Sequence, residues 1–125
     1  MKILCGADGF SVIEILIAAV IMSITSIGTV TLTIGVMHGN LFSKRLATAT
    51  ILTKDRLEQA KRIGYQNAGT IVGTENYGSI ENYVEYKRVS LVTNNTPMSD
   101  MKTIVVTVYW DADKHSVNLS TIISE

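Results

Sequence analysis

The chain has 125 residues, with eleven basic and eleven acidic side chains and no net charge at neutral pH. This length allows one modest domain, and the neutral balance excludes a global field that would draw the chain to nucleic acid. Its single cysteine, Cys5, excludes an internal disulfide and any metal site built from several cysteines.

The most apolar part of the sequence runs from Phe10 to Met37. It contains one charged residue, Glu14, and no lysine, arginine or proline. As a helix it would be roughly 40 Å long, which exceeds the roughly 30 Å thickness of a bilayer core. Serine, threonine and glycine are interleaved with the aliphatic residues, and such small residues let membrane helices approach closely. We therefore predict a transmembrane and assembly helix over residues 10–38.

Glu14 is the unusual residue of this apolar run. A carboxylate in apolar surroundings is costly unless it is paired. A cut between Gly9 and Phe10 would create an α-amino group shortly before Glu14, and such an amine is largely cationic at neutral pH. Two helices staggered by about one turn would bring the amine of one to the carboxylate of the other. A simpler interpretation also stands, in which Glu14 lies at the level of the lipid headgroups.

The segment Gly9-Phe10-Ser11-Val12-Ile13-Glu14, followed at once by the apolar run, resembles the prepilin cleavage and methylation motif. That motif belongs to type IV pilins and type II secretion pseudopilins. The resemblance implies that a prepilin peptidase cuts after Gly9, removes the leader of residues 1–9 and N-methylates Phe10. It also implies that Glu14 neutralises the α-amino group of a neighbouring subunit.

The same resemblance carries expectations about partners and location. The implied partners are the prepilin peptidase and methyltransferase, other pilin or pseudopilin subunits, and inner-membrane lipid before assembly. The precursor would cross the bacterial inner membrane once, with its leader in the cytoplasm and its C-terminal part in the periplasm or outside. It would then enter a pilus or a pseudopilus. The short head, without cysteine after processing, favours a minor pilin.

Residues 39–64 are predicted to continue the helix as an amphipathic segment. Apolar and small residues recur there at steps of three and four, which gives one narrow face: Leu46, Ala49, Thr53, Leu57, Ala60 and Gly64. Lys61 and Arg62 suit a helix C-terminus, and Gly64 is a plausible end point.

Residues 65–125 are predicted to form a loop and a β-sheet head. The loop covers residues 66–79, and three strand-like runs follow: Tyr83–Thr93, Lys102–Trp110 and His115–Ile123. Asp111–Lys114 fits a hairpin turn. The predicted fold class is α+β, a long N-terminal helix packed on a small C-terminal antiparallel sheet of three to four strands. Trp110 would be a core residue of that sheet.

No catalytic or cofactor site is recognisable in the sequence. His38 and His115 lack ligand spacing, and no glycine-rich phosphate loop is present, so we expect a non-enzyme without metal or cofactor. Two alternative functions stay open. One is a single-pass anchored binding module that never assembles, and the other is a minor pilin for DNA uptake. Lys87 and Arg88 among tyrosines would form only a weak patch for DNA, and the neutral charge disfavours nucleic acid.

Overall fold

The computed structural model describes residues 9–125 and contains one long helix and one antiparallel sheet. Helix α1 spans Val12–Asn67 and is followed by a short 3-10 helix, Ala68–Ile71. The strands are β1 (Gly73–Glu75), β2 (Tyr86–Asn94), β3 (Met101–Trp110) and β4 (His115–Ser124). They form a four-stranded meander in the order β1-β2-β3-β4, with every neighbouring pair antiparallel. The predicted α+β fold class is confirmed.

The described chain divides into two compact units, one ending at Leu41 and the other spanning Phe42–Glu125. We call the second unit the head. In the first unit the helix leaves its large apolar side chains exposed. In the head the same helix buries a narrow face of small and aliphatic residues: Ala49, Leu52, Thr53, Leu57 and Ala60. The predicted face is therefore largely correct, although Leu52 joins it and Leu46 remains 38% exposed.

The head core is organised around β3. Its residues alternate between buried and half-buried positions, as expected for a strand with one covered face. The four buried side chains lie at alternate positions, on one face of the strand: Ile104, Val106, Val108 and Trp110. Trp110 is only 2% exposed, so its predicted core role is confirmed.

Strand β1 lies inside the stretch that was predicted to be a loop. It pairs with β2 over three residues, and Glu75 stands directly opposite Arg88. The two side chains form an ion pair with a separation of 2.6 Å between Arg88 Nε and Glu75 Oε2. The loop prediction was wrong for Gly73–Glu75. The glycine-rich sequence of this stretch gives no local sign that it pairs with β2, which lies further along the chain.

Gly64 interrupts the regular helix within the head. Its backbone angles are φ 77° and ψ 174°, a region that only glycine adopts without strain. The chain then continues helically to Asn67 and into the 3-10 helix, whose Ala68 and Ile71 are buried. The predicted end point is therefore a kink, which redirects the backbone so that these two residues reach the core.

We predict that Gly64→Ala destabilises the head by about 1–3 kcal/mol, because alanine is strained at this backbone conformation. Denaturant unfolding of the full chain in detergent, followed by the fluorescence of the buried Trp110, measures the change. Gly69→Ala is the matched control, since Gly69 has an ordinary φ and no atom within 4 Å of an added methyl group. Equal losses in the two variants would contradict the role of the Gly64 conformation.

Candidate functional site

The residues predicted to be processed lie just before the start of α1. Gly9 and Phe10 are exposed and outside the helix, with Phe10 78% exposed. Residues 1–8 of the predicted leader lie outside the described residues. The Gly9–Phe10 peptide bond thus lies in an exposed, non-helical segment.

Glu14 lies in the first turn of α1. The carbonyl of Ser11 accepts hydrogen bonds from the backbone N–H groups of Glu14 and Ile15, at 3.0 and 3.1 Å, so the helical hydrogen bonds begin at Ser11. The side chain of Glu14 is exposed. A carboxylate at this end of a helix interacts favourably with the partial positive charge of the free backbone N–H groups. The geometry therefore leaves Glu14 available to a cation from outside its own helix.

The apolar part of α1 presents an exposed hydrophobic surface on all sides. Its isoleucine, leucine, valine and methionine side chains between Val12 and Met37 are all about half exposed or more. By length and composition, α1 is the one helix among residues 9–125 that could cross a membrane. A signal sequence meets the same criterion. The length and composition of α1 are therefore compatible with a single-pass membrane anchor.

The hydroxyl groups in this apolar segment are satisfied within the helix. Each one donates to a backbone carbonyl three or four residues earlier, at distances between 2.6 and 3.0 Å. The residues are Ser23, Thr25, Ser26, Thr29, Thr31 and Thr33. Because no hydroxyl donor needs a partner from another helix, the segment tolerates a lipid environment as a single helix. Their small side chains still permit close helix packing.

A partly buried ionic cluster ties the head helix to the β1 edge of the sheet. Arg88 is 7% exposed and binds Glu75 through two nitrogens, at 2.6 and 3.0 Å. Its third contact is a 3.2 Å hydrogen bond to the carbonyl of Leu52 on α1. Arg56 approaches the same carboxylate at 3.9 Å and donates to the carbonyl of Ile71. Both guanidinium groups are thereby used to hold helix and sheet together.

The electrostatics of this cluster are dominated by the arginines. The hydrogen bond from Arg88 is the main cause that lowers the pKa of the Glu75 carboxyl below its ordinary value, while burial opposes it. Since the pKa of the folded state is lowered, the stabilisation is fully present above the pKa of the unfolded chain. It is lost as the pH falls through the folded-state pKa.

A second contact network fastens the turn between β3 and β4. Asp113 accepts hydrogen bonds from the Tyr77 hydroxyl and from Lys87, and the bond from Lys87 lowers the pKa of the Asp113 carboxyl. The turn contains three consecutive non-glycine residues with positive φ, Asp111–Asp113, which are unfavourable without such support. Lys87 is therefore paired with Asp113, and Arg88 is paired with Glu75. Neither of these two cations is left unpaired to bind a nucleic-acid phosphate.

The same end of the sheet carries an open cavity of about 320 Å³. Arg45, Glu85, Tyr77 and Trp110 contribute to its walls together with the turn. The His115 ring stacks on Trp110, so this histidine has a packing role. Within the range 9–125, no group of three or more side chains is arranged to hold a metal ion.

Comparisons with known proteins give no match: no family model, no curated protein and no solved structure is similar to this chain. The class that the structure itself defines is an α+β protein with a potential single-pass anchor.

Sequence reasoning located Gly9, Phe10 and Glu14, which lie together around the start of α1. It did not find the cluster of Arg56, Glu75 and Arg88. In the sequence, Arg56 and Glu75 resemble ordinary surface charges and Arg88 belongs to the weak patch considered for DNA. Only the pairing of β1 with β2 brings the three residues together.

We predict that Glu75→Gln destabilises the head by about 1–3 kcal/mol near neutral pH, because Arg88 then remains buried without its counter-ion. The difference between wild type and variant should shrink as the pH falls below about 4.5, the ordinary value for this carboxyl. Unfolding curves at a series of pH values measure it. Glu81→Gln, which changes an exposed glutamate, is the control. A difference that persists undiminished in acid would contradict the ion-pair explanation.

Proposed function

We propose that this chain is a structural subunit of a type IV pilus-like or type II secretion filament, of the minor pilin or pseudopilin kind. The supporting observation is the sequence Gly9–Glu14, which resembles a prepilin motif and leads directly into a long apolar helix. In this proposal a prepilin peptidase cuts after Gly9 and N-methylates Phe10. The head would lie on the periplasmic or outer side of the inner membrane.

The exposed apolar surface of α1 supports an assembly role as well as an anchoring role. Lipid covers this surface before assembly, and neighbouring helices replace lipid in the filament. Because the hydroxyl donors are satisfied inside the helix, exchanging lipid for protein breaks no hydrogen bond. Packing of small residues then contributes to helix association.

Glu14 would set the axial register of assembling subunits. The new α-amino group of Phe10 is the nearest cation that processing creates, and Glu14 is exposed in the first helical turn. In a water-poor environment an unpaired charge is expensive. When the α-amino group of one subunit lies opposite the Glu14 carboxylate of its neighbour, both charges are paired and this cost is avoided. At any other axial offset between the two subunits, the charges stay unpaired.

The mature N-terminus tests the processing step. We expect mass spectrometry of the membrane-extracted protein to show a chain that begins at Phe10 and carries one added methyl group. Gly9→Val should abolish cutting, because a branched side chain replaces the smallest residue at the scissile bond, while the control Gly6→Val should be processed normally. A chain that retains Met1, or is cut elsewhere, would instead support the non-assembling anchored module.

Substitution of Glu14 tests the assembly step. We expect Glu14→Ala and Glu14→Gln to insert into the membrane normally but to enter the filament at least about tenfold less efficiently, since one partner of a desolvated charge pair is lost. Quantitative immunoblotting of sheared filaments against membrane fractions measures this ratio. Thr33→Val, which removes a hydroxyl already bonded to Thr29, is the control. Normal incorporation of both Glu14 variants would exclude the pairing.

A further inference from the structure

One side chain joins two exposed segments at one end of the head sheet. The β1–β2 loop covers residues 76–85, and the β3–β4 turn covers residues 111–114. The Tyr77 hydroxyl of the loop donates a hydrogen bond to Oδ1 of Asp113 in the turn, at 2.8 Å. It also accepts one from the backbone N–H of Asp113, at 3.0 Å. Among the described residues, these two hydrogen bonds are the only ones that connect the loop to the turn.

The turn has a backbone conformation that its own sequence does not favour. Asp111, Ala112 and Asp113 all have positive φ, at 55°, 55° and 65°. Aspartate tolerates this left-handed region better than most residues, but alanine has no side-chain group that compensates for the strain. Such conformations persist only where the surrounding structure enforces them. Tyr77 and Lys87 bind Asp113 from outside the turn, so breaking the Tyr77 contact favours relaxation of the turn.

The loop itself is held to the core at one point. Ile80 is 7% exposed and belongs to the same core cluster as Trp110, whereas the other residues of the segment 76–85 are exposed. A hydrogen bond of 3.0 Å from the N–H of Gly78 to the carbonyl of Val84 closes the loop on itself. Segments with so few buried contacts open at a lower free energy than the core of a protein. We therefore expect the loop to open without unfolding of the sheet.

The loop and the turn both border the open cavity of about 320 Å³. Its lining includes Tyr77 of the loop, Asp111 and Ala112 of the turn, and Trp110 at the end of β3. Trp110 is only 2% exposed, and its indole N–H is buried without a hydrogen-bond acceptor among residues 9–125. The indole N–H is therefore shielded from solvent by packing alone, and its hydrogen exchange reports directly on whether solvent reaches it.

We propose that the β1–β2 loop and the β3–β4 turn form a gate between solvent and Trp110, and that the contact of Tyr77 with Asp113 is its latch. With the latch closed, the loop and the turn hold each other in place beside Trp110. When the two hydrogen bonds break, the turn leaves its strained conformation and the cavity widens towards the indole ring. The gate belongs to the head alone, so it goes beyond the proposed function and does not rest on it.

The protonation states of the two partners keep the latch closed at neutral pH. Desolvation, and then the hydrogen bond to Asp113, raise the pKa of the Tyr77 hydroxyl above its ordinary value, so the hydroxyl keeps the proton that it donates. Its acceptor is an ionised carboxylate, because the hydrogen bond from Lys87 is the main cause that lowers the pKa of Asp113. A hydrogen bond to an ionised acceptor is stronger than one between neutral groups, and this strength offsets the strain of the turn.

Hydrogen exchange of the wild type tests whether the gate exists. The chain has one tryptophan, so its indole N–H gives a single NMR resonance in the full chain in detergent. We expect this N–H and the amides of Gly78 and Asp113 to exchange with one common opening free energy. That free energy should lie below the value for the Val106 amide in the centre of β3. The three groups should also respond weakly to denaturant, since a local opening exposes little surface.

Two variants of the same loop test whether Tyr77 is the latch. Tyr77→Phe removes the hydroxyl and with it both hydrogen bonds to Asp113, so we expect exchange of the indole N–H to accelerate about tenfold or more. Tyr83→Phe is the matched control, because Tyr83 is about as exposed as Tyr77 and phenylalanine keeps its ring contact with Tyr86. Indole exchange in this control should match the wild type.

Indole exchange that is as slow as that of Val106 in the wild type would overturn the gate, because solvent would then reach Trp110 only by global unfolding. Unchanged indole exchange in folded Tyr77→Phe, or equal acceleration in Tyr83→Phe, would overturn the latch. If Tyr77→Phe does not fold, the wild type still decides, since the Asp113 amide forms one of the latch bonds and must open together with the indole. None of these measurements depends on processing at Gly9, so failure here is distinguishable from failure of the proposed function.

Discussion

The inner face of β3 has to be covered, and α1 is the element that covers it. Ile104, Val106 and Val108 are fully buried, whereas a four-stranded sheet with one bare apolar face would be only marginally stable in water. The narrow helix face around Ala49, Thr53 and Ala60 closes the core. Side chains of this helix belong to both core clusters, so the core of the head depends on this one helix.

The helix consequently has two different surfaces along its length. Before Leu41 its apolar side chains are exposed, and such a surface is stable only in lipid or against other protein. In the head the apolar face is narrow and the remaining positions are mostly polar. Under the proposed function, the first surface serves anchoring and assembly and the second holds the head. In that proposal the same helix serves both filament formation and display of the sheet.

The two edges of the sheet differ in chemistry. The β1 side is short and is tied to the helix by the ion pairs that Arg88 and Arg56 form with Glu75. The β4 side is long and uncharged, with half-buried aliphatic side chains. The two edges of the sheet therefore differ in both length and charge.

The sequence by itself determined the elements whose signals are local. The apolar run, the alternation on β3 and the turn at Asp111 follow from hydrophobic period and turn chemistry. Gly9, Phe10 and Glu14 stand out because they fall within one segment of six residues. The tertiary structure decided what depends on distant partners: β1, the Arg88–Glu75 pair and the position of β4 at the end of the strand order. Charge pairing and strand register join residues far apart in the chain, and no local periodicity encodes them.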